Sequence, residues 1–173
     1  MPKFSIDRSA PAQAAIALGS NLGDSAQILR HALDRIDRTP GLRLVAASSL
    51  YQTQPIGPPQ PDYLNACAWV HTTLDPLPLL EALLDIEQQF GRVRRERWGP
   101  RLLDLDLLLY DDRILTLPQL ELPHPRMVDR AFVLVPLAEI APHWQDPRSG
   151  QTIAHLVQQV DCSGVQPYDL ALF

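Results

Sequence analysis

Apolar and polar positions along the chain alternate in a way that predicts strands and helices in turn. Residues 14–18 form a short apolar strand. A helix follows it, begun by Asp24 or Ser25 and ended by Thr39-Pro40-Gly41. One apolar stripe, typical of a helix that packs on a core, runs along it at Ile28, Leu29, Ala32, Leu33 and Ile36.

The next segments predict two strands, over residues 42–53 and 63–73, with a stiff proline-rich loop at 54–62 between them. Asp75 caps a helix over residues 76–90, and Gly91 ends it. A last strand carries Asp104 and Asp106. This order is β-α-β-β-α-β, so we expect an α+β, ferredoxin-like fold with a mainly antiparallel sheet.

Further elements are expected outside this core. A small hairpin begins near Ile114 and Leu115, and additional C-terminal helices cover residues 130–140 and 152–160. Pro136 should interrupt the first of them unless it falls in the opening turn. Residues 1–13 are expected to be a disordered extension, and residues 14–173 a single domain.

The most informative chemistry lies in the last predicted strand. Side chains alternate between the faces of a strand, so Asp104 and Asp106 share one face. Leu103, Leu105, Leu107 and Leu109 are expected on the other. Like charges repel unless a cation lies between them, and Mg²⁺ is typically bound through one or two carboxylates together with substrate phosphates. Taken alone, the strand is also compatible with two solvated aspartates.

The basic charge of the chain is local. The formal net charge is −5, which argues against nucleic acid and anionic membranes as partners. Five arginines nevertheless fall within ten residues, at Arg92, Arg94, Arg95, Arg97 and Arg101. Trp98 among them needs something to cover it, which favours a loop that folds over a phosphate ligand rather than a solvated loop.

A flat ring could be held near the proline-rich loop. Tyr63 and Asn65 share a strand face; an asparagine can donate and accept together, as a heterocycle with amide-like edges requires. Phe132 is a candidate stacking partner. Each of these residues, like His124 in its Pro-His-Pro loop, also has an ordinary structural explanation.

Cys67 and Cys162 are far apart and show neither a disulfide framework nor zinc spacing. No signal peptide and no membrane-spanning run is evident, so we expect a cytoplasmic protein with reduced thiols.

Several motifs occur together in order: Gly19-Ser20-Asn21-Leu22-Gly23, Pro61-Asp62-Tyr63-Leu64-Asn65, Arg97-Trp98-Gly99-Pro100-Arg101 leading into Leu103-Asp104-Leu105-Asp106, and Pro123-His124-Pro125-Arg126. Over roughly residues 14–160 the chain thereby resembles the 6-hydroxymethyl-7,8-dihydropterin pyrophosphokinases of folate biosynthesis. The resemblance implies transfer of the β,γ-diphosphate of ATP to the pterin hydroxymethyl group with release of AMP, by a monomer acting on small molecules.

The resemblance also implies roles for individual residues. Asp104 and Asp106 would hold two Mg²⁺ ions. Arg92 and Arg101 would be catalytic and would contact the phosphates. ATP would be bound by Glu87, Arg94, Leu107, His124 and Arg130. The pterin would be bound by Thr53, Pro55, Ile56, Tyr63, Asn65, Trp98 and Phe132.

Two other functions stay open at this point. The carboxylate pair also suits another Mg²⁺-dependent phosphotransferase or nucleotidyltransferase. If the protein is not an enzyme, a ferredoxin-like module that binds nucleotides is the alternative. RNA binding in particular would require a basic surface with exposed aromatic residues, which the net charge and the acidic strand face argue against.

Overall fold

The computed structural model describes residues 10–91 and 99–169. Its elements follow in chain order: β1 (Ala12–Ser20), α1 (Ser25–Arg38), β2 (Leu42–Ala47), β3 (Tyr51–Thr53), β4 (Tyr63–Thr72), α2 (Pro76–Gln89), β5 (Asp104–Tyr110), β6 (Leu115–Thr116), β7 (Glu121–Leu122), α3 (Ala131–Ile140), α4 (Ile153–Val157) and β8 (Gln166–Pro167). A 3₁₀ turn over Met127–Asp129 precedes α3.

The main sheet runs in the order β5-β1-β4-β3-β8, and β2 also pairs with β4. Each of these pairings is antiparallel. Because β2 and β3 lie along the same side of β4, the β-α-β-β-α-β order folds as predicted, and the ferredoxin-like class is confirmed. The expected hairpin near Ile114 is present as β6 paired with β7.

Both faces of the sheet are covered by apolar side chains. Ile16 and Leu18 of β1 belong to a core with α1 and α2, whereas Ala15 belongs to a second core with α3 and α4. A central strand buried on both sides explains why β1 is apolar almost throughout.

The helix termini follow from local chemistry. Asp24, the first of the two predicted residues, caps α1 and accepts a hydrogen bond from the Gln27 N–H at 3.2 Å. Gly91 follows α2 with φ +78°, a conformation that glycine adopts without strain.

The single strand predicted over residues 42–53 is wrong. The chain leaves the sheet between β2 and β3, where the buried hydroxyl of Ser48 accepts the Cys67 N–H at 2.9 Å. A side chain thus replaces a ladder hydrogen bond. The two-residue β8 was also missed, because so short a strand carries no periodic signal.

The face predicted for Leu109 is wrong. The pairing of β5 with β1 skips Leu108, since Ala15 pairs with Leu109 and Ile16 with Leu107. Such a β-bulge reverses the alternation beyond it. Leu109 therefore joins Leu108 in the α3 core, while Leu107 keeps its predicted face.

The interruption predicted at Pro136 is also wrong. The helix α3 continues through Pro136 to Ile140. Its buried residues Leu134 and Leu137 pack in the α3 core, and this packing outweighs the hydrogen bond that the proline cannot donate.

Two predicted boundaries shift. The helix α4 ends at Val157, and β1 begins at Ala12, which pairs with Thr72, so residues 12 and 13 do not belong to an extension. Residues 1–9 lie outside the described part of the chain.

Glu139 of α3 fastens the beginning of β3. Its carboxylate accepts hydrogen bonds from the Ser49 N–H at 3.0 Å, the Ser49 hydroxyl at 2.7 Å and the Tyr51 hydroxyl at 2.7 Å. Burial acts to raise the pKa of Glu139, but these hydrogen bonds outweigh it and lower the pKa below its ordinary 4.5. The same contact, after burial, raises the pKa of Tyr51 to about 12.

We expect Glu139→Ala to lower the free energy of unfolding by about 1–2 kcal/mol near pH 7, a value reduced for the exposure of the group. A carboxylate whose pKa is depressed on folding stabilises the protein above its unfolded-state pKa of 4.5, and this contribution is lost as the pH falls through the lower folded-state value. Urea unfolding at several pH values measures the difference from wild type, which should shrink in acid. Glu81→Ala, in the exposed face of α2, is the matched control.

Candidate functional site

The strand register gathers polar residues at one end of the α3 face. Gly19 of β1 pairs with Asn65 on one side and with Asp104 on the other, and Ala17 pairs with Asp106. Directly paired residues point to the same face, so Asp104, Asp106 and Asn65 share it. Gly19 has no side chain, so β1 itself places none between Asn65 and Asp104, which lie roughly 10 Å apart across two strand spacings; the Asn65 amide and the Tyr63 ring are the nearest groups to its Cβ position, at 3.5 and 3.7 Å. We call this end of the sheet the acidic face.

Arg101 lies next to the acidic face. Its Nη1 donates to Oδ1 of Asp104 at 3.1 Å, and both side chains are a little over a quarter exposed, at 27% and 29%. The guanidinium and the carboxylate are thus both accessible to a ligand. The contact brings a cation and a carboxylate together beside the acidic face.

The donor set of the acidic face suits Mg²⁺. Within residues 10–91 and 99–169 no group of three or more metal-ligating side chains occurs. Two carboxylates on one face, which offer only hard oxygen donors, fit a cation whose remaining ligands come from phosphate oxygens and water. They do not fit a closed protein cage.

The loop before α3 adds a histidine beside β5. The His124 N–H donates to the Leu108 carbonyl at 2.9 Å, and its Nδ1 accepts the Arg126 N–H at 3.2 Å. The remaining ring nitrogen, Nε2, therefore carries the proton of the neutral ring. Burial lowers the pKa of His124 below 6.5, and the nearby Arg130 and Arg126 lower it further.

Arg130 is the residue directly before α3 and lies near both carboxylates. Burial lowers its pKa, the charges of Asp106 and Asp104 act in the opposite direction, and the guanidinium remains charged at neutral pH. The guanidinium carbon lies 5.5 Å from the centre of the Phe132 ring. Arg130 thus lies near the acidic face, and the Phe132 ring lies beside its guanidinium.

Three of the residues predicted to bind the pterin, Thr53, Tyr63 and Asn65, are neighbours in the sheet. Asn65 is buried, and its Nδ2 donates to the Thr53 hydroxyl at 2.8 Å, which fixes the amide in the sheet. Thr53 pairs with Tyr63. Burial raises the pKa of Tyr63, whereas the charge of Arg101 lowers it. Pro55 is half-buried in the following loop and Ile56 is 69% exposed.

Two predicted site residues do not reach the acidic face with their side chains. Glu87 is 1% exposed, and its Oε1 accepts the Leu105 N–H at 3.1 Å, so it covers the outer edge of β5. Leu107 is 3% exposed in the α1–α2 core. Neither side chain lies on the acidic face, and the assignment of Glu87 and Leu107 to the ATP site stays a prediction. Leu107 offers a ligand only its main chain, which points to the same outer edge as that of Leu105.

Sequence reasoning missed Asn21 and Arg126. Asn21 is only 2% exposed although it is polar and follows a strand directly, which was the available signal. Arg126 lies close enough to affect the pKa of His124. Arg92, Arg94 and Trp98 lie outside the described residues, so the loop predicted to cover the ligand stays a prediction.

The chain matches known proteins of one family. The family model "7,8-dihydro-6-hydroxymethylpterin-pyrophosphokinase" matches residues 15–142. A relative from Synechocystis sp., named 2-amino-4-hydroxy-6-hydroxymethyldihydropteridine pyrophosphokinase, is 51% identical over 154 residues, which cover 89% of this chain and 79% of the relative. A relative of the same name from Pseudomonas aeruginosa is 47% identical over 152 residues, covering 87% and 93%.

Solved structures show the same fold at lower identity. A Plasmodium falciparum HPPK-DHPS triple mutant with SDX-DHP aligns with a TM-score of 0.69 and 16% identity over 91% of this chain. The wild-type protein aligns with a TM-score of 0.67 over 86%. The chain spans less than half of those longer chains, 46% and 44% respectively.

The fold places the protein among ferredoxin-like α+β proteins that carry an acidic face at one end of an antiparallel sheet. The family match and the relatives' identity go further: the chain belongs to the 7,8-dihydro-6-hydroxymethylpterin-pyrophosphokinase family.

We expect the imidazole of His124 to titrate with a midpoint below 6.5 in the folded protein, because burial and two arginines disfavour its cation. Arg126→Gln should move the midpoint upward. Histidine Cε1–H signals followed by NMR between about pH 4 and 9, roughly two and a half units either side of 6.5, measure it. Arg38→Gln, whose side chain pairs with Asp34 on α1, is the control and should leave it unchanged. A midpoint at or above 6.5 in wild type contradicts the assignment.

Proposed function

We propose that this protein transfers the β,γ-diphosphate of ATP to the hydroxymethyl group of 6-hydroxymethyl-7,8-dihydropterin. The oxygen of that hydroxymethyl group forms a bond to the β-phosphorus, the bond from the β-phosphorus to the oxygen it shares with the α-phosphate breaks, and AMP leaves. The observation that carries the proposal is the placement of Asp104 and Asp106 on one face with Asn65 across Gly19, in a chain of this family.

In this proposal Asp104 and Asp106 bind two Mg²⁺ ions together with the phosphates of ATP. Bound Mg²⁺ supplies charge neutralisation and lowers the pKa of the attacking hydroxyl. The protein needs no nucleophilic side chain, because phosphoryl transfer depends on positioning and on stabilising shifting charge.

The cationic side chains near Asp104 and Asp106 are proposed to bind the phosphates of ATP. Arg101 reaches them from the position where it now contacts Asp104, and Arg130 from the beginning of α3. Neutral His124 donates from Nε2, so its contact does not depend on protonation near pH 7. Arg92 and Arg94 are proposed to join them on the strength of the family resemblance alone.

The pterin is proposed to lie above Gly19. Tyr63 and Phe132 enclose its ring, and Asn65, already held by Thr53, bonds its amide-like edge. Pro55 and Ile56 border it from the proline-rich loop, and Trp98 covers it. Burial of both ring faces would exclude water from the transfer.

We further propose that the protein acts as a monomer in the cytoplasm. Both cysteines are free thiols, as expected in a reducing compartment. No helix among the described residues is long and apolar enough to cross a membrane.

The activity is tested by incubating the protein with MgATP and 6-hydroxymethyl-7,8-dihydropterin and separating the nucleotides by chromatography. We expect AMP and the pterin diphosphate in equal amounts, and only when the pterin is present. ADP in place of AMP, or AMP formed without pterin, would overturn the proposal in favour of a different phosphotransferase.

We expect Asp106→Asn to lower kcat by about 100-fold or more, because an amide keeps the shape of the side chain but loses the charge that holds Mg²⁺. Single-turnover rates over a range of Mg²⁺ concentrations measure the loss. Asp112→Asn, an exposed position beyond the end of β5, is the matched control and should keep the wild-type rate. Unchanged Mg²⁺ dependence in Asp106→Asn would refute the metal assignment.

We expect Arg101→Ala to reduce kcat by about 100-fold while changing the pterin dissociation constant less than about threefold, because its cation acts on charge that develops during transfer. Rates come from AMP formation, and the dissociation constant from equilibrium titration of pterin fluorescence. Equal losses in rate and in pterin affinity would show that Arg101 acts in binding rather than in the chemical step.

A further inference from the structure

Asn21, the residue after β1, holds the main chain of Arg101 with two hydrogen bonds. Its own N–H donates to the Arg101 carbonyl at 3.0 Å, and its Oδ1 accepts the Arg101 N–H at 2.8 Å. The two bonds close a small ring between the residues. The backbone from which the Arg101 guanidinium reaches Asp104 is therefore fixed to the end of the central strand.

The other half of the Asn21 amide holds the proline-rich loop. Its Nδ2 donates to Oε1 of Gln60 at 2.9 Å and to the carbonyl of Pro61 at 3.0 Å. Pro61 comes two residues before Tyr63, the aromatic residue at the start of β4. One side chain thus contacts both the loop that leads to Tyr63 and the segment that carries Arg101.

The chemistry of this position is restrictive. The side chain must accept on one side and donate twice on the other, and among short side chains only an amide does so. Asn21 is 2% exposed, so water does not replace a lost partner easily, and each broken bond leaves a buried polar group unsatisfied.

We infer that Asn21 is a positioning residue that sets the distance between the pterin-side loop and Arg101, and so couples the two substrate subsites. The inference rests on the proposed function for the meaning of the subsites. The hydrogen-bond network that carries it stands independently of that function.

The substitution Asn21→Asp distinguishes the acceptor half of the amide from its donor half. The carboxylate still accepts the Arg101 N–H, but it cannot donate to the Pro61 carbonyl and repels it. Losing hydrogen bonds of this kind at a buried position corresponds to about a tenfold effect. We therefore expect the pterin KM and dissociation constant to rise about tenfold, with kcat and the KM for ATP within about threefold of wild type.

Asn21→Leu removes both halves at similar volume. Here the main chain of Arg101 also loses the bond from its N–H, so kcat should fall by about tenfold or more in addition to the rise in pterin KM. Gln60→Ala removes one acceptor on the loop side only, and should raise the pterin KM about threefold without changing kcat.

Ser20→Ala is the matched control. Ser20 is the neighbouring buried residue, and its hydroxyl donates to Ser25 at 2.9 Å, toward α1 rather than toward either loop. We expect Ser20→Ala to lower stability in urea unfolding and to leave KM and kcat unchanged. A purely structural role for Asn21 predicts that its variants behave in the same way.

The deciding measurements are steady-state kinetics in both substrates, pterin titrations and urea unfolding of all four variants. A selective rise in pterin KM for Asn21→Asp and Gln60→Ala supports the inference. Losses that follow stability alone, or a pterin KM unchanged in Gln60→Ala, overturn it, and Gln60→Ala decides if Asn21→Asp does not fold. If wild type forms no AMP, the proposed function fails. The inference about Asn21 is then tested by the rate of amide hydrogen exchange. In Asn21→Asp this rate should rise in the loop at residues 60–63 but not at Arg101.

Discussion

The register of β1 between β5 and β4 is the constraint on which the acidic face depends. Because Gly19 pairs with both Asp104 and Asn65, side chains from segments far apart in the chain meet above one glycine. A slip of one residue in either ladder would turn Asp104 and Asp106, or Asn65, into the α1–α2 core. Packing opposes a slip of β5, since it would move Leu105 and Leu107 out of the α1–α2 core and place carboxylates beside Leu29 and Leu33. Hydrophobic packing thus fixes the geometry of a polar site that it does not touch.

The edge position of β5 makes a second demand. An edge strand presents unpaired N–H and C=O groups, and here Glu87 occupies the Leu105 N–H while the His124 N–H occupies the Leu108 carbonyl. The second of these contacts falls on the residue that the bulge leaves out of the ladder. The bulge therefore serves to attach the histidine loop beside the carboxylates. The sequence resemblance assigns both Glu87 and His124 to ATP. In the structure the Glu87 carboxylate covers the edge of β5, whereas the His124 loop is attached to β5 beside Asp104 and Asp106.

Short-range periodicity predicted the parts of this site that depend on alternation alone. Asp104 and Asp106 share a face, and so do Tyr63 and Asn65, because the pleat requires it. It failed where a side chain intervenes in the ladder, as Ser48 does between β2 and β3, or where one residue is left out, as Leu108 is. It also could not show that the Glu87 carboxylate is buried and accepts the Leu105 N–H, and a contact between Glu87 and ATP stays a prediction. These distinctions depend on three-dimensional neighbours that no local pattern contains.

The end of β1 and the residue after it show why neighbouring residues in one motif need not share a role. Gly19 leaves space: a Cβ there would lie 3.5 Å from Oδ1 of Asn65 and 3.7 Å from the Tyr63 ring, which is ordinary contact but would fill the gap toward Asp104. Ser20 turns away from that gap and bonds to Ser25 at the start of α1. Asn21 turns back and bonds to both loops. Substituting Gly19 should therefore impair ligand access while the loops stay in place, whereas substituting Asn21 should move the loops while the access stays open. The two effects separate because the alternation of a strand end sends successive side chains in different directions.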